Sequence, residues 1–450
     1  MTADHTRLTP RRFVSFSSSM FAIGLISVGW GALDLAMLAP FGEDNVAAMG
    51  MGEAVTMTIS AFLAGLIDAF SGRVAQAEGA GETGRRLPLL FCAFLVVLLP
   101  VAVVLLLGAL LVSPFLELIG QNPELVPLAS DFVAIRLIGA VPVLVVSAFL
   151  EMLKICGLQT AVIRLLTLGL GLDALLNWCV LWGPAEGWFD SPLTAVAVTT
   201  VLAQFTMGAL AGVVVVRAFR RRGDVFVRPA ARDVRTEAVS IGRVGSGIGV
   251  HQFNDYAGAT VPLLMIGTLS VPTVAAATVA TKLWTLYCRV PQACFTTGFV
   301  FYGYAVGRDQ AEARELVTRL RTYAALPTVV GAVLMMAASP LLVRAFGGPD
   351  ADIGQGVLLL AAYFLSLGGY FYSALYGELL GVRQEGSFLS SRSTVVTYAL
   401  ALPLAAIGVF VFDSAFLALA SGTIPAVVLS VLFVGRMREL SEVPVEQAPA

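Results

Sequence analysis

The run PLLFCAFLVVLLPVAVVLLLGALLVS (88–113) holds no acidic or basic residue. A helix needs ~20 mostly apolar residues to cross a bilayer, because its backbone polar groups must be satisfied within the segment. This run meets that length with room to spare. It is not an isolated patch: 58% of the 450 residues are hydrophobic, 13% are charged, and the mean hydropathy is +0.86. A soluble chain carries about 25% charged residues, so the composition lacks the polar shell that a soluble domain of this length requires. The formal net charge of −2 points away from a nucleic-acid partner.

Working outward from 88–113, runs of similar character predict twelve spans, at 13–39, 47–74, 88–113, 127–152, 158–182, 193–217, 238–267, 272–305, 317–346, 355–380, 388–411 and 414–435. The connections test this map. Six of them, FGEDNV (41–46), 114–126, GPAEGWFDSP (183–192), 268–271, GGPDAD (347–352) and 412–413, contain no Lys or Arg. The alternate connections carry the basic residues, among them Arg85, Arg86, Lys154, Arg164, Arg220, Arg221, Arg222, Arg308, Arg383 and Arg436. Under the positive-inside rule this alternation predicts a multi-pass protein of the cell (inner) membrane with both termini cytoplasmic. The basic start MTADHTRLTPRRF lacks a small-residue cleavage site and reads as a cytoplasmic arm.

The longest basic loop, 218–237, divides the spans into two sets of six. A shift of 228 residues lays Ala47-Ala48 over Ala275-Ala276 and Gly79 over Gly307. Six is even, so the two halves share one orientation. The expected fold is all-α integral membrane: twelve transmembrane helices in two six-helix halves with pseudo-twofold symmetry along the membrane normal. The expected organisation is an arm at 1–12, a half at 13–217, the linker at 218–237, a half at 238–435 and a cytoplasmic tail at 436–450. Repeats of this kind place a solute route between the halves.

Several chemistries find no support. His5 and His251 are too few and too distant for a histidine metal site. Cys92, Cys156, Cys179, Cys288 and Cys294 sit singly in apolar runs and read as small buried hydrophobes. Gly79-Ala-Gly81-Glu-Thr-Gly84 fits G-x-G-x-x-G, but it joins two spans and follows no strand, so no dinucleotide site is expected. There is no P-loop and no catalytic cluster. The chain is expected not to be an enzyme.

The first helix pair reads Asp34-Leu-Ala-Met-Leu-Ala-Pro-Phe-Gly42, then Val46-Ala47-Ala48, and later Gln76 and Gly79-Ala80-Gly81. The fifth span ends Leu176-Asn177-Trp178, and the sixth carries Ala197, Thr200 and Gln204. This resembles the multidrug and toxic compound extrusion (MATE) family. There an aspartate in helix one precedes a glycine, an Ala-Ala pair and a loop ending Gln-x-x-Gly-Ala. The resemblance implies a cation-coupled antiporter, driven by H+ or Na+, that exports small organic molecules such as drugs or natural products. The alternative is a flippase for a lipid-linked oligosaccharide or similar precursor of the same superfamily, which would want a basic cavity; Arg136, Lys282 and Arg289 keep that reading open. Expected partners are the bilayer and a small-molecule substrate. No cofactor beyond the coupling ion and no second subunit is expected.

Ionisable residues inside spans are costly and are functional candidates by default. Asp34 stands out, placed about mid-span with no local basic partner. Asp173 and Asn177 are four apart and point the same way from the fifth helix. With Thr200 they offer hard oxygen ligands, so Asp34 and Asp173 could hold Na+. Two desolvated carboxylates close together could equally share a proton near neutral pH. In the family the helix-five pair runs Asn-x-x-x-Asp; here it is reversed, which leaves the ion and its stoichiometry open. A polar cluster that only packs helices is the plain alternative. Asp255, Asp68, Lys282 and Arg289 are secondary candidates. Lys282 is a possible partner of Asp255, and the helix-ten acid that some family members carry is not evident around Leu367–Tyr372.

Overall fold

A computed structural model describes residues 6–118, 123–222, 228–347 and 352–442. Among these residues the chain is helical and contains no strand. The first set of helices is α1 (Pro10–Leu38), α2 (Glu43–Gly79), α3 (Thr83–Leu118), α4 (Val126–Ile155), α5 (Gln159–Leu181) and α6 (Pro192–Arg222). The second is α7 (Ala231–Ile266), α8 (Val271–Arg308), α9 (Gln310–Gly347), α10 (Ile353–Leu365), α11 (Leu367–Val382), α12 (Gly386–Val396), α13 (Leu402–Phe410), α14 (Ala415–Ala420) and α15 (Thr423–Glu442). Parts of the predicted connections 114–126, 218–237 and 347–352, the start of the arm with His5, and most of the tail lie outside the described residues.

Nine helices are each long and apolar enough to cross a bilayer, and α10 with α11 forms a tenth as one span bent by 49°. Helices α7 and α8 are also of full spanning length, and they complete the twelve. The 228-residue offset governs the element boundaries. Shifting Glu43–Gly79 by that amount gives 271–307, against Val271–Arg308 observed; shifting Thr83–Leu118 gives 311–346, against Gln310–Gly347.

Two breaks have local causes. Pro403 lacks the N–H that a regular helix would donate one turn back, and a π turn occupies 397–401 just before it. At Ser366 the hydroxyl and the backbone N–H both turn onto the carbonyl of Tyr363, ahead of Gly368-Gly369, and α10 gives way to α11.

The turns after α2 and α4 share one geometry. Gly81 (φ 72°) and Gly157 (φ 81°) take left-handed conformations, and the next residues donate back across the helix end, Glu82 N–H to Ala77 O at 2.9 Å and Leu158 N–H to Leu153 O at 2.8 Å. In the second half Gln384 (φ 63°) holds the corresponding place after α11.

The chain forms two compact units. One comprises Ala22–Gly245; the other comprises Ser246–Ala450 with the N-terminal stretch through Phe21. In the first, Glu78 is buried and gathers three helix ends: Thr83 donates to it at 2.5 Å, the Arg222 guanidinium binds it at 2.5 Å, and Cys156 lies against it. Arg73 reaches Glu237 at 3.1 Å and Ser240 at 2.6 Å, fixing the polar first turns of α7 as helix well before the apolar run begins.

In the second unit, an aromatic core of Trp284, Tyr287, Phe364 and Tyr370 joins α8 to α10 and α11. Phe13 and Phe16 of α1 pack on Tyr323 and Phe301, and the buried Ser17 hydroxyl meets that of Thr297 at 2.9 Å. Helices α11 and α15 approach backbone to backbone at Gly369. A Cβ there would lie 2.7 Å from the carbonyl carbon of Ala426 and 2.8 Å from Val427 N. Gly369→Ala must therefore push these helices apart. The expected cost is about 1–3 kcal/mol, the usual range for an overpacked core, read as a lower melting temperature of the detergent-solubilised protein. An unchanged melting temperature would show that the contact gives way freely.

Candidate functional site

The Ala22–Gly245 unit contains a polar centre built from three helices. Asp34 lies four residues before the end of α1, so it sits in that helix's last turns and not at the mid-span position expected. Helix α5 contributes Asp173 and, one turn later, Asn177; helix α6 contributes Thr199 and Thr200. Gly169, one turn before Asp173, makes the approach of α5 possible. A Cβ at that position would stand 2.8 Å from Met207 Sδ and 2.9 Å from Trp30 Cζ2. A larger residue there would have to displace the Met207 and Trp30 side chains.

The hydrogen bonds run in a chain. Asn177 Nδ2 donates to Asp34 Oδ1 at 2.9 Å, and the Thr200 hydroxyl lies 3.1 Å from Asp34 Oδ2. The Thr199 hydroxyl donates to Asn177 Oδ1. All five residues are at most 5% exposed. Polar atoms buried to this degree are normally satisfied by a neighbour.

Asp173 breaks that rule. Its polar neighbours are Asp34 and Thr200. Yet neither carboxylate oxygen receives a hydrogen bond among the described residues, and the residue is 0% exposed. A buried carboxylate without a donor is destabilising. A group retained at such a cost, beside a second carboxylate, is suited to binding a positive ion that comes and goes.

The threonine geometry adds a chemical detail. Thr200 Oγ1 lies 2.8 Å from Val196 O as well as 3.1 Å from Asp34 Oδ2. A hydroxyl has one proton. With Asp34 ionised, that proton points to Asp34. With Asp34 protonated, Asp34 donates to Thr200 and Thr200 donates to Val196 O. One hydroxyl rotation accommodates both states with no movement of a helix.

Asp34, Asp173, Asn177 and Thr200, chosen from the sequence, thus converge on one place. Two neighbours were not singled out in the sequence. Thr199 orients Asn177, and its only signal was the Thr-Thr pair beside the chosen Thr200. Glu53 of α2 is half-buried, and its charge acts on Asp34; its position within a predicted span was the clue that would have found it. Arg136 of α4 acts electrostatically on Asp34, Asp173 and Glu53.

The secondary candidates are dispersed. Asp68 and Arg136 line a cavity of about 350 Å³ between α2, α4 and α6. Asp255 lines a separate cavity of about 250 Å³ with Asn254, Trp284 and Tyr370. The His251 ring lies beside it, with Nδ1 3.7 Å from Asp255 Oδ1. The expected Asp255–Lys282 pairing is not formed: Lys282 is exposed and makes no ion pair among the described residues, because it leaves α8 on a different face. Arg289 reaches Gln292 at 3.3 Å and no acid. No group of three or more His, Cys, Asp or Glu side chains at metal-binding spacing occurs among the described residues, and none of the five cysteines is in a disulfide.

Comparison with known proteins places this arrangement. The MatE family model matches residues 20–179, the stretch that carries Asp34, Asp173 and Asn177. Over that stretch the chain is similar to the MATE family. A probable multidrug resistance protein NorM of Bradyrhizobium diazoefficiens is 24% identical over 356 residues, covering 76% of this chain and 73% of the relative. A second protein of that description, from Rhizobium meliloti, is 27% identical over 61% of this chain and 58% of its own length. Among solved structures, a MOP superfamily transporter from Pyrococcus furiosus superposes with a TM-score of 0.82 at 18% identity, covering 98% of this chain and 99% of that one. A MATE protein in its bent conformation gives 0.81 at 18% identity, with the same two coverages. The eukaryotic MATE transporter AtDTX14 gives 0.79 at 14% identity over 95% of each chain. The fold is accordingly that of the MATE structures, an all-α membrane protein of twelve helices in two halves.

Proposed function

We propose that this chain is a MATE transporter that exports small organic molecules in exchange for a cation, and that the cation is bound by Asp34 and Asp173. The observation that carries the reading is Asp173, a fully buried carboxylate with no hydrogen-bond donor, set beside Asp34. The NorM relatives, described as probable multidrug resistance proteins, support a drug or natural-product substrate.

The donor set favours H+ over Na+. A sodium ion takes several oxygen ligands, whereas Asn177 turns its amide N–H toward Asp34 and spends its oxygen on Thr199. The two carboxylates and one hydroxyl remain. A proton needs no more than these. In proteoliposomes, an imposed pH gradient should drive export of a fluorescent drug from the loaded side, and an equal sodium gradient at constant pH should not. Export driven by sodium alone would reverse the assignment of the ion.

The reading includes an orientation in the inner membrane with both termini cytoplasmic, supported by the arginines that crowd one end of α6. Arg221→Cys, in a background without the five native cysteines, should resist an impermeant thiol reagent in intact cells and react after lysis. Labelling of intact cells would invert the topology.

A further inference from the structure

Arg136 acts at a distance on the carboxylates of the coupling site, yet it is bonded to none of them. It leaves α4 ten residues after that helix begins, well inside a span. A charge at that depth is normally paired. The Arg136 guanidinium forms no salt bridge and no hydrogen bond among the described residues, although its charge is felt at Asp34, Asp173 and Glu53. It lines the cavity of about 350 Å³ between α2, α4 and α6 instead.

The other polar groups in that wall are also uncommitted. Ser60 of α2, Ser147 of α4 and Gln204 of α6 line the same cavity, and none of the three makes a hydrogen bond among the described residues. Gln204 lies twelve residues into α6 and Arg136 ten into α4, so the amide and the guanidinium stand at similar depth. The acids that line the cavity are Asp68 and Glu151. Glu151 is fifteen residues beyond Arg136 on α4, about 22 Å along the axis, and it is held by Lys154. The Arg136 end of the cavity is thus a cluster of free donors with one fixed positive charge.

We infer that this cavity binds the organic carboxylate group of the transported solute, with the Arg136 guanidinium as its anchor and the Gln204 amide beside it. A guanidinium presents two parallel N–H groups that match the two oxygens of a carboxylate. In a half-buried site such a pair discriminates strongly against a neutral analogue, because the donors are then left without partners. The inference rests on the reading of the chain as an exporter of small organic molecules, and it names the class: solutes bearing a carboxylate, whether plain anions or zwitterions.

Four dansyl probes separate the possibilities: dansylglycine (an anion), Nε-dansyl-lysine (a zwitterion), dansylglycinamide (neutral) and dansylcadaverine (a cation). Binding to the full-length protein in detergent is followed by dansyl fluorescence. Both carboxylates should bind roughly tenfold to a hundredfold tighter than dansylglycinamide, the range of a charge-assisted bidentate pair. If dansylglycine binds and Nε-dansyl-lysine does not, the class narrows to anions. Arg136→Gln should erase the preference, Arg136→Lys should keep part of it, and dansylcadaverine should bind all three proteins alike. Equal binding of dansylglycine and dansylglycinamide to the wild type overturns the inference without reference to any variant. So does a preference that survives in Arg136→Gln. A wild type that selects carboxylates but exports nothing under either gradient would leave this site standing and remove the coupling reading.

Discussion

Asp34→Asn is expected to leave the protein folded and to lower gradient-driven export by at least about a hundredfold, the scale of losing an essential proton-carrying group. Folding should survive because the replacement is isosteric and its hydrogen bonds can be met. The new side chain's oxygen accepts from Asn177 Nδ2, as Asp34 Oδ1 does at 2.9 Å. Its amide nitrogen donates to Thr200 Oγ1, and Thr200 directs its own proton to Val196 O, 2.8 Å away. This is the pattern of the protonated carboxyl, fixed permanently. The variant should therefore resemble one end state of the cycle. A ligand shifts a two-state equilibrium only through its differential affinity for the two states; a side chain that cannot release its proton provides none. Drug binding to the detergent-solubilised variant should persist within a few-fold of wild type. Vesicles should show downhill equilibration at most, with no response to an imposed pH gradient. Wild-type export by Asp34→Asn under pH and sodium gradients alike would move the coupling site elsewhere. Asp255, in its own cavity beside His251, would be the next residue to test.

Much of this fold could be read from hydropathy and loop charge, since both follow from the bilayer. The predicted span 88–113 lies inside α3, and 127–152 inside α4, with ends that differ by a few residues. Differences of seven residues occur at the starts of α7 (Ala231 against 238) and α9 (Gln310 against 317) and at the end of α15 (Glu442 against 435), and α7 shows why. Its first turns, ARDVRTE, are polar and resemble a loop; a cross-helix contact from Arg73 to Glu237 holds them, and a one-dimensional pattern does not carry such contacts. The same limit explains the pairings. Asp173 and Asn177 share a face by spacing alone, so their convergence was legible. That Lys282 misses Asp255 depends on the rotation of α8, which hydropathy leaves undetermined. The break at Ser366 involves no proline, and its cause is a side chain turning onto its own helix. The orientation of Asn177, which bears on H+ against Na+, depends on Thr199, a residue without a distinguishing signal of its own.

Asp173→Asn should move stability and function in opposite directions. In the wild type this carboxylate is fully buried beside a second one and accepts no hydrogen bond. Keeping two buried acids side by side opposes folding, whereas a neutral amide removes their repulsion and can donate toward Asp34. The detergent-solubilised variant should therefore melt several degrees above wild type. Destabilising groups kept at functional positions commonly behave this way, because the energy they withhold from folding is available to the ligand. The functional cost should be loss of pH-driven export, with the Asp34–Asn177 hydrogen bond intact and drug binding preserved. The paired measurement separates two explanations that a transport assay alone does not. If Asp173 only packed helices, replacing it would leave export unchanged or reduce it together with the melting temperature. A higher melting temperature with abolished coupling fits only a residue held in place for the ion. A lower melting temperature with wild-type export would mean that Asp173 belongs to the architecture of α5 and that Asp34 binds the proton without it.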